Sequence, residues 1–200
     1  MPTKKRKKRV KDVLCLRQPD IRVVLEDITN THNASAVVRT CDAAGILYMD
    51  IIHARPEPFP INESISTRAE KWIKFNHYSS TEECLSSLKK QGFEIACTHL
   101  GSEAADYTSV DYTQPIAVVF GNELQGVTEE AVQLSDHLIQ IPMFGMAQSL
   151  NLSVSAGIIL YEACRQRIQK GLYEKSRLSE KKFTDIQKEW LGLKKKPKKR

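Results

Sequence analysis

Short apolar runs recur along the 200-residue chain, and between them apolar residues return every three or four positions. Such runs make buried strands and such spacing makes amphipathic helices, so the alternation predicts an α/β sheet. Strands are expected at Arg22–Leu25, Tyr48–His53, Lys74–Tyr78, Phe93–Thr98, Pro115–Phe120 and His137–Ile141. Helices are expected at His32–Ala44, at Ala69–Trp72, from Ser80 to just before Gly92, at Thr128–Ser135, at Leu150–Gln169 and at Ser179–Leu193. Ser80 and Glu83 have capping-box spacing, Thr128 precedes two glutamates suited to a positive helix end, and Gly45 suits a left-handed C-terminal cap. Arg55–Ser66, with Pro56, Pro58 and Pro60, is expected to be a loop.

The helix expected from Leu150 differs from the others. Its residues are small or apolar on nearly every side, the pattern of a helix buried all round. It nevertheless opens on a polar turn, Gln148-Ser149-Leu150-Asn151. Polar groups there cost desolvation unless a ligand or the fold uses them.

Composition narrows the class. At 41% hydrophobic and 27% charged the chain is long enough for one domain with a real core. No stretch approaches a membrane span, and no apolar segment of a secretory signal follows the basic N-terminus, so no membrane association is expected. The five cysteines are scattered without metal-ligand spacing and read as reduced thiols of a cytoplasmic protein. The five histidines also stand singly, so no metal is expected.

The charge is unevenly placed. Lys4, Lys5, Arg6, Lys7, Lys8, Arg9 and Lys11 crowd one end, and Lys194, Lys195, Lys196, Lys198, Lys199 and Arg200 the other. The remaining 17 basic residues face 24 acidic ones, so two basic ends flank an acidic body. Such ends suit a phosphate backbone, with salt-dependent binding, or else are solvated tails that confer solubility.

Candidate chemistry collects at the strand ends. Gly121-Asn122-Glu123-Leu124-Gln125-Gly126 follows an apolar strand directly, where open α/β sheets bind ligands. The loop is neither GxGxxG nor a Walker sequence, which argues against a dinucleotide site and a P-loop. No GxSxG nucleophile turn is present. Asn33 is placed to cap its helix. Arg39 sits among Val37, Val38 and Cys41 and needs a carboxylate or phosphate partner, Glu123 being one choice. Asn33 and Arg39 lie about 240° apart around the helix at ~100° per residue, so they do not share a ridge.

Three segments, Asp27–Gly45, Ile116–Glu130 and Ile139–Arg165, resemble in order and spacing the three motifs of the SpoU family of SPOUT RNA methyltransferases. The likeness covers most of 20–167. It is greatest to the branch that methylates the ribose 2′-hydroxyl of the D-loop guanosine, position 18, of tRNA. The resemblance implies an α/β-knot fold: a mostly parallel sheet flanked by helices, the chain from about Ile116 to Arg167 threaded into a deep C-terminal trefoil, a rare exception to the unknotted rule. It implies a basic extension over 1–19, a methyltransferase domain over 20–169, and an amphipathic helix with basic tail over 170–200. S-adenosylmethionine would lie in the knot against Thr98, Gly121, Asn122, Glu123, Gly126, Ile141 and Leu150.

Family members are homodimers in which Arg39 of one subunit would face the cofactor of the other. Arg39, Asn33, Glu123, Ser149 and Asn151 match the motif polar residues. The family proposal makes Arg39 the base; as a guanidinium it could instead clamp a substrate phosphate and stabilise the developing alkoxide. Asn33 and Ser149 read as orienters, Asn151 as support for the turn, and Glu123 as partner of Arg39 or anchor of the cofactor loop, with a purely structural role open for Glu123 and Asn151. RNA would be met by Arg39 and the N-terminal basic residues. A ribosomal RNA substrate, and a non-catalytic RNA-binding knot protein, are the competing expectations.

Overall fold

The computed structural model describes residues 2–53, 59 and 61–193. In chain order the elements are α1 Lys4–Cys15, β1 Gln18–Glu26, α2 Thr31–Ala43, β2 Ile46–Ile52, α3 Glu63–Ser66, β3 Lys74–Tyr78, α4 Thr81–Lys90, β4 Glu94–Thr98, β5 Ala105–Asp106, β6 Ile116–Phe120, α5 Glu129–Gln133, β7 His137–Gln140, α6 Leu152–Gln169 and α7 Glu180–Trp190. Single 3₁₀ turns lie at Ala69–Trp72 and Tyr107–Ser109.

The strands pair in the order β3-β2-β1-β6-β4-β7-β5, and every pairing is parallel. A parallel sheet is covered on both faces, which is why its strands read as unbroken apolar runs rather than alternations. In β1, Val23 and Leu25 pack towards α2 and α6, while Val24 packs towards α4 and α5. All the strands therefore point their C-terminal ends to one edge. There β6 lies between β1 and β4, so connections lead away on both sides and leave a crevice.

Buried charges fasten this frame. Glu26, at the end of β1, accepts from the Thr128 N–H at 2.9 Å and the Thr128 hydroxyl at 2.7 Å, and also from Thr81, so one carboxylate holds the starts of α4 and α5. Arg167, at the end of α6, is fully buried. It donates to the Tyr112 carbonyl, Gln18 Oε1 and Asp20 Oδ1, each at 2.8 Å, and to the carbonyls of Gln114 and Asp20. All five guanidinium N–H groups are thus used. Arg177 joins the same Asp20 carboxylate. Burial alone would raise the Asp20 pKa, but the hydrogen bond from Arg177 and the charge of Arg167 hold it below its ordinary value.

Several expectations need correction. Asn30, not Asn33, caps α2: its side chain accepts from the N–H groups of His32 and Asn33. Both asparagines are cap-forming types, three residues apart, so type alone could not choose between them. The N-terminal basic segment is not a solvated tail. Its Val10 and Leu14 are buried, and α1 packs on α7 with Leu178, Ile186 and Trp190 in one cluster. The linker before α7 is docked as well, through Tyr173 donating to the Ala44 carbonyl at 2.8 Å. The expected loop ends in the short α3, capped by Asn62; the three prolines lie outside the described residues. Finally, α6 is not buried all round: Val154, Tyr161 and Ile168 are 47%, 56% and 64% exposed.

Among the described residues no helix is long and apolar enough to cross a membrane. Cys41, Cys84, Cys97 and Cys164 are free and buried, and burial pushes all four thiols up.

Candidate active site

A pocket of about 610 Å³ opens at the C-terminal edge of the sheet. Three chain segments that are distant in sequence build it: the loop after β4, the loop after β6, and the stretch from the end of β7 to the start of α6. Thr98, Gly121, Asn122, Glu123, Gly126, Ile141, Ser149, Leu150 and Asn151 all line it, together with Asn33 from α2. Of the expected catalytic and cofactor residues, only Arg39 lies elsewhere.

The loop after β6 is closed on itself. The Gly126 N–H donates to the Asn122 carbonyl at 2.8 Å. Asn122 Oδ1 accepts from Leu124 and Gln125, and its amide donates to the Asp27 carbonyl at 2.8 Å. The Asn122 side chain therefore shapes the loop and ties it to β1. The two glycines are required for different reasons. A Cβ on Gly121 would lie 2.2 Å from the Gly126 backbone, so the chain cannot close with a side chain there. Gly126 has φ +72°, the left-handed region that glycine reaches without strain.

A polar relay crosses the pocket mouth. Asn151 Nδ2 donates to Asn33 Oδ1 at 2.9 Å, and Asn33 Nδ2 donates to Glu123 Oε1 at 3.0 Å. One residue from each of the three motif segments is thus linked in series. Asn151 also caps α6, its Oδ1 accepting from the Ser153 N–H at 2.9 Å and from the Ser153 hydroxyl at 2.7 Å. The suspected Arg39–Glu123 ion pair is absent: Glu123 is engaged by Asn33. Arg39 is exposed on α2 and, among the described residues, has no hydrogen bond or ion pair. The 240° separation explains this, since the helix that turns Asn33 into the pocket turns Arg39 away.

Leu100, Ile139, Ile141, Leu150 and Leu152 supply much of the apolar wall, with Gln125, Gln140 and Ser155 as further polar groups. A cavity of this size with apolar walls and a few convergent polar groups fits a small organic ligand, including S-adenosylmethionine with its flat base and polar ends. His99, Met143 and Leu100 line it too and were not anticipated. No periodicity singles them out, because they stand on irregular loops.

Comparison with known proteins agrees with this arrangement. The model of the SpoU rRNA methylase family matches residues 20–161. The chain belongs to the SpoU methylase family. A SpoU relative from Aquifex aeolicus (strain VF5), tRNA (guanosine(18)-2′-O)-methyltransferase, is 47% identical over 186 residues, covering 93% of this chain and 88% of the relative. The crystal structure of the A. aeolicus TrmH/SpoU tRNA modifying enzyme superposes with a TM-score of 0.90 at 47% identity, covering 94% of this chain and 95% of that one. The SpoU methyltransferase AviRb from Streptomyces viridochromogenes, solved in complex with the cofactor AdoMet, superposes with a TM-score of 0.67 at 26% identity, covering 76% of this chain and 62% of that one. The resemblance carried by the three motif segments is therefore borne out, and their SpoU spacing corresponds to one shared pocket in this structure.

Proposed function

We propose that this SpoU chain transfers a methyl group from S-adenosylmethionine to a ribose 2′-hydroxyl of RNA, at the D-loop guanosine 18 of tRNA. The observation that carries the proposal is the relay Asn151–Asn33–Glu123, which joins the three motif segments at the mouth of the pocket. The likeness to a tRNA (guanosine(18)-2′-O)-methyltransferase extends over nearly the whole chain and supports the choice of substrate.

Thr98, Gly121, Ile141 and Leu150, with the Glu123–Gly126 loop, would hold the cofactor. Bound there, it supplies a methyl group made electrophilic by the sulfonium charge. A ribose hydroxyl is a poor nucleophile, so the protein's task is alignment and charge control. Asn33 is held at both ends of its amide, by Asn151 and Glu123, and so presents a fixed edge to the substrate. Ser149, exposed at the mouth and without a described hydrogen bond, is free to orient the ribose. Arg39 acts as a cation: a guanidinium keeps its proton, so it binds the phosphate beside the reacting ribose and stabilises charge growing on the oxygen.

That role requires a second subunit, because the single chain points Arg39 away from its own pocket. The exposed Val154, Tyr161 and Ile168 of α6, with the half-buried Gly157 and Ile158, form an apolar stripe at heptad-like spacing beside α2. A homodimer packed on this stripe buries it and carries Arg39 of one subunit to the pocket of the other. The knot belongs to the same reading: α6 begins at the pocket mouth and ends with Arg167 fastened to Tyr112 and Gln114, ahead of β6, as a threaded segment would. Residues 20–169 then form the methyltransferase domain, with 1–19 and 170–200 as basic additions that meet RNA. A cytoplasmic location belongs to the same reading and is supported by the proposed tRNA substrate.

Incubation with labelled S-adenosylmethionine and a tRNA pool, followed by mapping of the modified nucleotide, tests the proposal. A 2′-O-methyl group at D-loop guanosine 18 is expected. Label only in ribosomal RNA would replace the substrate, and no transfer to any RNA would leave a binding protein.

A further inference from the structure

A second cavity, of about 450 Å³, lies at the opposite edge of the sheet, between α1, α7 and the 3₁₀ turn Ala69–Trp72. Its walls are unlike those of the first pocket. Trp72 and Trp190 meet edge to face with ring centroids 5.3 Å apart. The Arg17 guanidinium lies over the Trp190 ring at 5.3 Å, and that of Arg6 lies 6.0 Å from the Trp72 ring. Lys5 and Arg9 complete the rim, exposed and without an ion pair among the described residues. Asp42, the carboxylate of the lining, is engaged by Arg17.

Two donors in this wall are unused. Arg17 is 1% exposed and Trp190 5% exposed, yet Arg17 Nε and Trp190 Nε1 have no acceptor among the described residues. Buried donors without acceptors cost free energy and ask what accepts from them. Aromatic faces, cations on the rim and unpaired N–H groups together match the π-face, phosphate and acceptor edge of a nucleotide. An acidic peptide would satisfy the cations but brings no flat ring to lay against the partly exposed Trp72. The basic residues at 194–200 carry the same sign as the rim, so charge opposes the chain's own C-terminal end as occupant.

We propose that this tryptophan-walled, basic cavity is a binding subsite for an unpaired nucleotide of the RNA substrate, remote from the nucleotide that reacts. It begins beside Arg17, where β1 starts, while the catalytic pocket lies beyond Glu26, where β1 ends. Eight residue steps at ~3.3 Å separate the two by about 26 Å, so the subsite reads a different part of the RNA. The inference rests on RNA being the substrate.

The chain has two tryptophans, and both stand in this cavity. Intrinsic tryptophan fluorescence of the full-length enzyme therefore reports its occupancy. With an eight-nucleotide single-stranded RNA as probe, saturable quenching is expected, and the Lys5→Ala/Arg9→Ala double variant should weaken it at least fivefold. In methylation assays the same double variant should raise the KM for tRNA about five- to tenfold with kcat unchanged. Lys89→Ala/Lys90→Ala, which removes equal charge from the exposed end of α4, outside the segments assigned to RNA, should raise KM by at most twofold. Trp190→Phe keeps an aromatic wall, though a smaller one, and removes the unpaired N–H; it should raise KM about threefold, with a fall in thermal stability from the space left in the α1–α7 cluster.

Equal losses from the two charge-matched pairs would overturn the subsite in favour of general electrostatic attraction. Displacement of the RNA probe by a polyglutamate peptide at comparable concentration would overturn it in favour of a protein partner. Wild-type methylation of tRNA with wild-type KM in every variant would sink the subsite alone. Absence of methylation in the wild type would instead sink the substrate assignment, and fluorescence would still report on the cavity.

Discussion

The two edges of the sheet are built from opposite materials. At the C-terminal edge, above the Glu26 anchor, the polar groups of the pocket are mostly uncharged amides on loops and helix starts, joined by single hydrogen bonds in the series Asn151–Asn33–Glu123. At the N-terminal edge they are guanidinium–carboxylate locks, Arg167 and Arg177 on Asp20 and Arg17 on Asp42, most of them buried. Multiple charge-assisted bonds fix a backbone; short relays of amides fix an orientation while leaving surfaces open to ligands. One edge holds the fold and the other aims the chemistry. Breaking each should therefore register on a different instrument.

The largest effect is expected at the anchored edge. Arg167→Met leaves the Asp20 carboxylate with Arg177 alone and leaves three backbone carbonyls and Gln18 without that donor. Removing one partner of a buried charge pair costs about 3–5 kcal/mol. Chemical denaturation should show a loss of that size. A loss below about 1 kcal/mol would mean that the lock does not carry the fold.

Next is Arg39→Ala, which should lower single-turnover methylation by about 10²–10³-fold, the scale for removing one donor to a developing oxyanion. Stability should not change, since Arg39 is exposed and without a described partner. Mixing Arg39→Ala with a variant disabled in the pocket should regain activity in the heterodimer, where one site has an intact pocket and an intact Arg39 from its neighbour. No recovery on mixing would place Arg39 in its own subunit's site.

The contrast between the edges also explains what the sequence disclosed. The catalytic edge was legible because its residues lie in compact segments: Gly121 to Gly126 after an apolar run, and Ser149 to Asn151 before a helix. The anchored edge was not. Arg17, Arg167 and Asp20 are far apart in sequence, and a buried arginine looks like any surface cation until the chain is folded. For the same reason α1 reads as a tail in sequence: its seven positive charges outweigh Val10 and Leu14, whose burial depends on Leu178, Ile186 and Trp190 far along the chain. The stripe on α6 erred the other way. Val154, Tyr161 and Ile168 are apolar, so periodicity buries them, while a single chain leaves them exposed.

A smaller effect should separate orientation from affinity within the catalytic edge. Asn33→Ala cuts the relay in the middle, leaving Asn151 and Glu123 without each other. About a tenfold fall in kcat is expected, with little change in cofactor affinity measured by calorimetry. Asn151→Ala alone should fall by a similar factor, and the double variant by far less than the product, because residues in one relay act as a unit. Multiplicative losses would show that the three side chains work separately.

The smallest effect distinguishes the edges by pH. Asp20 has a lowered pKa in the folded chain, so its ionised form stabilises the fold. That contribution is present above the unfolded value of 3.8 and is lost as pH falls through the lower folded value. Asp50, buried in β2 beside Arg22, has the opposite sign: burial raises its pKa despite Arg22 and Asn76, so lowering the pH from its raised folded value towards 3.8 relieves a cost. Asp20→Asn should therefore destabilise the fold near neutral pH, and the gap from wild type should shrink below pH 3.8. Asn33→Ala, which removes no charge, should show no such convergence. If the Asp20→Asn gap stayed constant down to the acid transition, the anchored edge would be held by packing around Asp20 rather than by its charge.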